Sequence, residues 1–219
     1  MRNSFESYPD IELATIRAKE EHLRASFRKE AELKNYVKGY ISVPSVNQLI
    51  DLDLQGFAAD IIVYHAHVEG IKANKVVQIP NSGNPLATSV AERLGVPFLV
   101  PGRKGEEIPG AWNHPIIIEE KVISFTTEET SSFVFNGLEK GDNIYLVDDV
   151  VAHGYTACLI IEEFRKRGIN VAGMAIYFAK LFQPGIERIK EEIGISPFFV
   201  VGIESITPEG KITLSPPQF

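Results

Sequence analysis

The densest concentration of chemically useful side chains lies in Ile144-Tyr-Leu-Val-Asp-Asp-Val-Val-Ala-His-Gly-Tyr-Thr156. An apolar run ends in two adjacent carboxylates, and a short loop containing Gly154 leads into a helix-forming stretch. A loop that enters a helix offers unpaired N–H groups and the positive end of the helix dipole, which together suit an anion. Gly154 lets the backbone approach a phosphate closely, and the Thr156 hydroxyl can donate to it. Asp148 and Asp149, just upstream, can accept hydrogen bonds from sugar hydroxyls. Carboxylates beside an anion site suit a ribose phosphate better than a bare phosphate. The competing structural reading is that Asp148 and Asp149 cap the helix or sit solvated at a strand end.

The surrounding pattern supplies elements able to position such a site. Residues 11–33 are rich in Ala, Glu, Lys, Arg and Leu with a narrow apolar stripe, which predicts one amphipathic helix or two. Residues 36–43 alternate and end at Pro44, and residues 48–68 carry apolar side chains at helical spacing. A strand-then-helix rhythm follows. Strands are expected at 75–79, 96–100, 144–147, 171–178 and 198–201. Helices are expected at 86–94, 157–167 and 186–193, each closed by a glycine suited to a left-handed cap. Apolar strands alternating with helices predict an α/β fold with a central parallel sheet flanked by helices. Residues 102–137 break the rhythm and read as a flexible loop followed by an antiparallel hairpin around 122–125 and 132–135.

Composition narrows the function classes. The chain has 219 residues, 44% hydrophobic and 23% charged, enough to bury a core without disulfides. Its lone cysteine, Cys158, has no internal partner to bridge, which suits a reducing compartment. No secretory signal is visible in residues 1–10, and no apolar run approaches the roughly 20 residues of a membrane span. The expected location is the cytoplasm. With 22 basic against 29 acidic residues and a net charge of −7, the surface is not a nucleic-acid footprint. His22, His65, His67 and His114 show no metal-ligand spacing.

The 144–156 segment resembles the phosphoribosyl diphosphate-binding motif of the type I phosphoribosyltransferases. Ile79-Pro-Asn-Ser-Gly-Asn-Pro85 resembles the family's pyrophosphate loop, and Gly95-Val-Pro-Phe-Leu-Val-Pro-Gly-Arg-Lys104 its strand ending in an Arg-Lys pair. Ser124-Phe-Thr-Thr-Glu-Glu-Thr130 and Lys180-Leu-Phe-Gln-Pro-Gly185 are similar to segments of bacterial xanthine phosphoribosyltransferases. The matches keep the family's order over residues 37–214. They imply the type I fold with a small hood region, residues 36–219 forming the catalytic domain and residues 1–35 a helical extension.

The resemblance further implies a role for each site residue. Asp148 and Asp149 would serve the ribose, and Ala152, His153, Gly154, Tyr155 and Thr156 the 5′-phosphate. Ser82, Gly83, Arg103 and Lys104 would hold pyrophosphate, while Lys180 and Phe182 would meet the base. Lys180 would face the 6-oxo group of xanthine, hypoxanthine or guanine. Mg²⁺ would arrive with the diphosphate, reached by Asp148 and Asp149 through water rather than held by the protein directly. Phosphoribosyl diphosphate and a purine base are the expected partners, with no nucleic acid or membrane, and a homodimer is expected. The alternatives are an enzyme for adenine or another base, and a non-catalytic sensor of phosphoribosyl diphosphate. Three residues depart from the family pattern: His153, Tyr155, and Pro80, which stands where an acid often opens the pyrophosphate loop.

Overall fold

The computed structural model describes residues 11–80, 84–103, 115–123 and 128–219. Helix α1 (Leu13–Glu30) precedes a short antiparallel pair, β1 (Glu32–Asn35) and β2 (Tyr40–Ser42). After the single turn α2 (Pro44–Asn47), helix α3 runs Leu52–Val68. It starts four residues later than periodicity predicts. Asp51 sets the start: its side chain accepts from the N–H groups of Asp53 and Leu54 and caps the first turn.

The main sheet then forms from β3 (Lys75–Gln78), helix α4 (Asn84–Leu94), β4 (Phe98–Leu99), β8 (Asn143–Val151), helix α5 (Tyr155–Lys166), β9 (Asn170–Lys180), β10 (Phe198–Ile206) and β11 (Ile212–Leu214). Its strand order is β11-β10-β9-β8-β3-β4, parallel from β4 to β10 and closed by antiparallel β11. Strand β11, which the sequence pattern did not suggest, returns through the turn at Thr207 and Gly210.

The stretch expected as one helix over 186–193 divides into a short turn α6 (Gly185–Arg188) and a π-helical turn (Ile189–Ile193). Strand β5 (Gly102–Arg103) joins β6 (Ile116–Ile123) and β7 (Glu128–Phe135) in a second, antiparallel sheet ordered β5-β7-β6. The expected hairpin is therefore present, with longer arms. Its base is anchored in the core, since Ile116, Ile118, Phe133 and Phe135 are buried and Phe135 meets Phe164 of α5 edge-on at 5.0 Å.

Strand alternation divides the core into two layers. Val76, Tyr145, Val147 and Ala175 pack with α1, α3 and α4, whereas Val77, Ile144, Leu146 and Ile176 pack with α5. The first layer is cross-braced by Asp60 of α3, which pairs with Lys19 of α1 and Arg93 of α4. Burial alone would raise the Asp60 carboxyl, but the hydrogen bonds from Lys19 and Arg93 outweigh it and hold the group below its ordinary range. At the opposite end of the strands from the candidate site, buried Asp142 gathers Lys75, Asn74 and the Glu139 N–H, tying β3 to the approach of β8.

Helix α1 holds the last residues of the chain. Glu20 is 1% exposed and accepts from the N–H groups of Gln218 and Phe219. Arg24, one turn on, donates to the carbonyls of Ser215 and Pro216. Phe219 then packs edge-on against Tyr64 at 5.3 Å. Substitution Glu20→Ala removes the acceptor of two part-buried donors, and hydrogen bonds to charged groups contribute about 1.5–3 kcal/mol each. The expected result is a fall in urea midpoint equivalent to about 2–4 kcal/mol. An unchanged midpoint would show that the clasp contributes nothing.

Candidate functional site

Parallel pairing decides which loops meet. Because β3, β4, β8 and β9 run the same way, their carboxyl ends share one edge of the sheet, the place where open α/β sheets bind ligands. The segment after β3, the segment after β4 that contains Arg103, the loop 152–154 after β8 and the segment Lys180–Phe182 at the end of β9 all emerge there. The described ends of four strands are thus brought to one edge of the sheet.

Asp148 and Asp149 do not follow the strand, as sequence reading placed them; they lie within it. Strand β8 continues to Val151 because pairing with β9 persists at Asp148↔Ile176, Val150↔Phe178 and Val151↔Ala179. Both acids are consequently buried, at 8% and 3% exposure. Neither caps α5 nor lies solvated, so both competing structural readings fail. Burial first, and then the neighbouring Asp149 charge, push the Asp148 carboxyl well above the ordinary range. The Asp148 carboxylate accepts from the Asp149 N–H at 2.9 Å. Buried adjacent carboxylates are costly in the empty protein. Vicinal hydroxyls of a sugar are donors that suit such a pair.

The loop Ala152-His153-Gly154 is shaped by a close approach of two glycines. Gly154 has φ +76°, and a Cβ there would stand 2.7 Å from the Gly185 carbonyl oxygen. Reciprocally, a Cβ on Gly185 would stand 2.5 Å from the Ala152 oxygen. The Gly185 N–H donates to that oxygen at 3.0 Å. Gly154 is also the N-cap of α5, its carbonyl accepting from the Cys158 N–H at 3.0 Å. Tyr155 and Thr156 begin the helix, where first-turn N–H groups have no intrahelical acceptor. Tyr155 is 62% exposed, and its ring lies beneath the Arg188 guanidinium, 3.7 Å from the Cζ atom. Arg188 also donates to the His153 carbonyl. Gly185 and Arg188 had no signal in the loop's own sequence; they come from 30 residues downstream.

Lys180 ends β9 at 9% exposure. Burial lowers its ammonium from the ordinary lysine range, and the Asp149 charge pulls it partly back. The β1–β2 turn reaches across to this segment: a Cβ on Gly39 (φ +60°) would be 3.0 Å from Gln183 Nε2 and 3.2 Å from Phe182 Cε2. Phe182, 39% exposed, therefore sits under the hairpin with part of its ring open. Of the remaining candidates, Arg103 lies in β5, where its backbone pairs with Phe133. Ser82, Gly83, Lys104 and His114 lie outside the described residues. Among the described residues no group of three or more His, Cys, Asp or Glu is gathered as a metal cage. No described helix is long and apolar enough to cross a membrane.

No protein-family model matches the chain. Similar curated proteins are nonetheless numerous. A xanthine phosphoribosyltransferase of Bacillus licheniformis is 31% identical over 170 residues, covering 77% of this chain and 84% of that protein. One from Agathobacter rectalis is 31% identical over 149 residues, 67% of this chain and 74% of the relative. A hypoxanthine/guanine phosphoribosyltransferase of Methanohalophilus mahii is 25% identical over 174 residues, 78% of this chain and 85% of that protein. Among solved structures, an adenine phosphoribosyltransferase from Trypanosoma brucei superposes with a TM-score of 0.67 at 15% identity, over 86% of this chain and 82% of that one. At that identity the superposition speaks for the fold. The fold, the convergent motifs and the relatives agree, and the chain belongs to the purine branch of the type I phosphoribosyltransferases.

Proposed function

We propose that the protein joins a 6-oxopurine, xanthine first and hypoxanthine or guanine next, to phosphoribosyl diphosphate with release of pyrophosphate. The observation that carries this reading is Lys180, a buried ammonium at the strand end beside the Asp149 charge and two residues from the partly open ring of Phe182. A buried cation needs an acceptor, and the 6-oxo group of these bases is one; adenine presents an amino donor there instead. The names of the curated relatives support the same substrate class.

In this reading Asp148 and Asp149 take the ribose hydroxyls, and residues 152–156 hold the 5′-phosphate by backbone N–H groups and the Thr156 hydroxyl. Ser82, Gly83, Arg103 and Lys104 receive the pyrophosphate. The C1′–N bond to the base forms as the C1′–O bond to pyrophosphate breaks, and the base N–H proton passes to solvent. The transition state resembles a ribosyl cation, so the protein acts mainly by positioning and by stabilising the departing charge. Mg²⁺ fits this site as a companion of the diphosphate: an adjacent acid pair suits a hydrated ion held through its waters, and the ion would neutralise charge on the leaving group. A homodimer in the cytoplasm completes the proposal.

The test is pyrophosphate release with Mg²⁺, phosphoribosyl diphosphate and each of xanthine, hypoxanthine, guanine, adenine and orotate. Turnover is expected with xanthine above the other oxopurines and well above adenine. Turnover with adenine alone would overturn the role of Lys180. Silence with every base, alongside retained phosphoribosyl diphosphate binding, would make the protein a sensor.

A further inference from the structure

We propose that Arg188 is a positioning residue for the phosphate loop, orienting its peptide groups through the His153 carbonyl with Tyr155 as its platform. The inference rests on the reading of residues 152–156 as the phosphate-holding segment. It also accounts for Tyr155, one of the residues at which this loop departs from its family's pattern.

Arg188 makes three contacts at once. Its Nη1 donates to the His153 carbonyl, its Cζ stands 3.7 Å from the centre of the Tyr155 ring, and its Nε lies 3.2 Å from Glu192 Oε1, one turn along. Although cationic, the side chain is only 18% exposed. Its head is turned onto the loop instead of out into water.

The consequence follows from peptide geometry. In a planar trans peptide the C=O and the next N–H point in opposite directions. Arg188 holds the His153 carbonyl on the α6 side, so the Gly154 N–H faces away from α6. The Gly185 N–H holds the Ala152 carbonyl on that same side, so the His153 N–H also faces away. Two successive donors are thereby turned off the α6 side, and two carbonyl oxygens that would repel an anion are tied back. The guanidinium adds positive charge behind the loop. Tyr155 offers its ring face to the planar guanidinium, and Glu192 restrains it from the other side. Tyr155 thus serves Arg188, and its exposed position at the start of α5 is where that platform is needed.

The experiment is calorimetric titration with ribose 5-phosphate, alongside KM values for phosphoribosyl diphosphate and for the purine base. Arg188→Met should weaken ribose 5-phosphate binding about 10–150-fold, the range for losing one charge-assisted hydrogen bond. Arg188→Lys keeps the charge but loses the fork and the stacking, so it should still weaken binding about fivefold. Tyr155→Leu should cost about threefold alone and nothing further in the Arg188→Met background, because both act through one unit. The KM for phosphoribosyl diphosphate should rise in step, and the KM for the base should stay within about twofold of wild type.

Wild-type affinity in Arg188→Met, or an equal rise in both KM values, overturns the inference. Should Arg188→Met fail to fold, wild-type affinity in Tyr155→Leu overturns it equally. A wild-type protein that does not bind ribose 5-phosphate overturns instead the site reading on which the inference stands, so the two failures are distinguishable.

Discussion

Asp148→Asn should make the ligand-free protein more stable at neutral and alkaline pH while removing most of its affinity for ribose 5-phosphate. Asp148 is 8% exposed, its neighbour Asp149 3%, and the Asp148 carboxyl lies well above its ordinary range because of burial and then the adjacent charge. A raised carboxyl means that the folded state binds the proton more tightly than the unfolded state does. Stability then falls as pH rises from the ordinary value of 3.8 through the raised one, and the full penalty persists above it. Asparagine removes the titration and keeps an oxygen that can accept from the Asp149 N–H, now 2.9 Å from Asp148 Oδ1.

The expected gain in melting temperature in metal-free buffer at pH 8 is about 2–4 °C, equivalent to roughly 1 kcal/mol for a chain of this size. That gain should shrink toward zero as the pH falls into the ordinary carboxylate range. Affinity for ribose 5-phosphate should drop about a hundredfold, as two hydrogen bonds from sugar hydroxyls to a charged acceptor weaken. Active sites commonly hold such trade-offs between stability and ligand affinity. A melting temperature that falls at pH 8, or affinity that is unchanged, would remove the acid pair from the site.

Gly185→Ala should collapse the loop 152–154 from more than 30 residues away in sequence. The added Cβ would lie 2.5 Å from the Ala152 oxygen, 2.6 Å from Val151 Cγ1 and 2.9 Å from the Ala152 carbonyl carbon. Two of those three atoms are backbone and cannot swing aside. The loop must lift off α6, which breaks the hydrogen bond from the Gly185 N–H to the Ala152 oxygen. Overpacking of this kind costs about 1–3 kcal/mol, and the displaced donors should reduce ribose 5-phosphate affinity by about a hundredfold or more. Gly194→Ala is the matched control. Gly194 has φ +76° but nothing within 4 Å of its Cβ position, so it should lose about 1 kcal/mol of stability and no affinity. Equal affinities in the two variants would show that the α6 contact does not shape the loop.

Much of the frame around the candidate site was legible in the chain. Apolar runs punctuated by glycine at 95, 168 and 194 marked the strand-helix rhythm, because period and turn chemistry are local properties. The pairing 148–149 and the loop with Gly154 stood out for the same reason: a strand, two acids and a helix start lie within thirteen residues. What was misplaced was misplaced where tertiary contacts override local pattern. The end of β8 moved from 147 to 151 because β9 continues to pair with it past the acids. The start of α3 moved to Leu52 because Asp51 caps it.

Sequence alone therefore determined the fold class and the family, and it singled out the acid pair and its loop as candidates, since each is written in neighbouring residues. Only the tertiary structure decided that the acids are buried, because burial depends on which strands and helices cover β8. The structure also brought Arg188 and Gly185 to the loop, and Gly39 to Phe182 and Gln183. Those residues lie far apart along the chain, and nothing in their own neighbourhoods announces the contact.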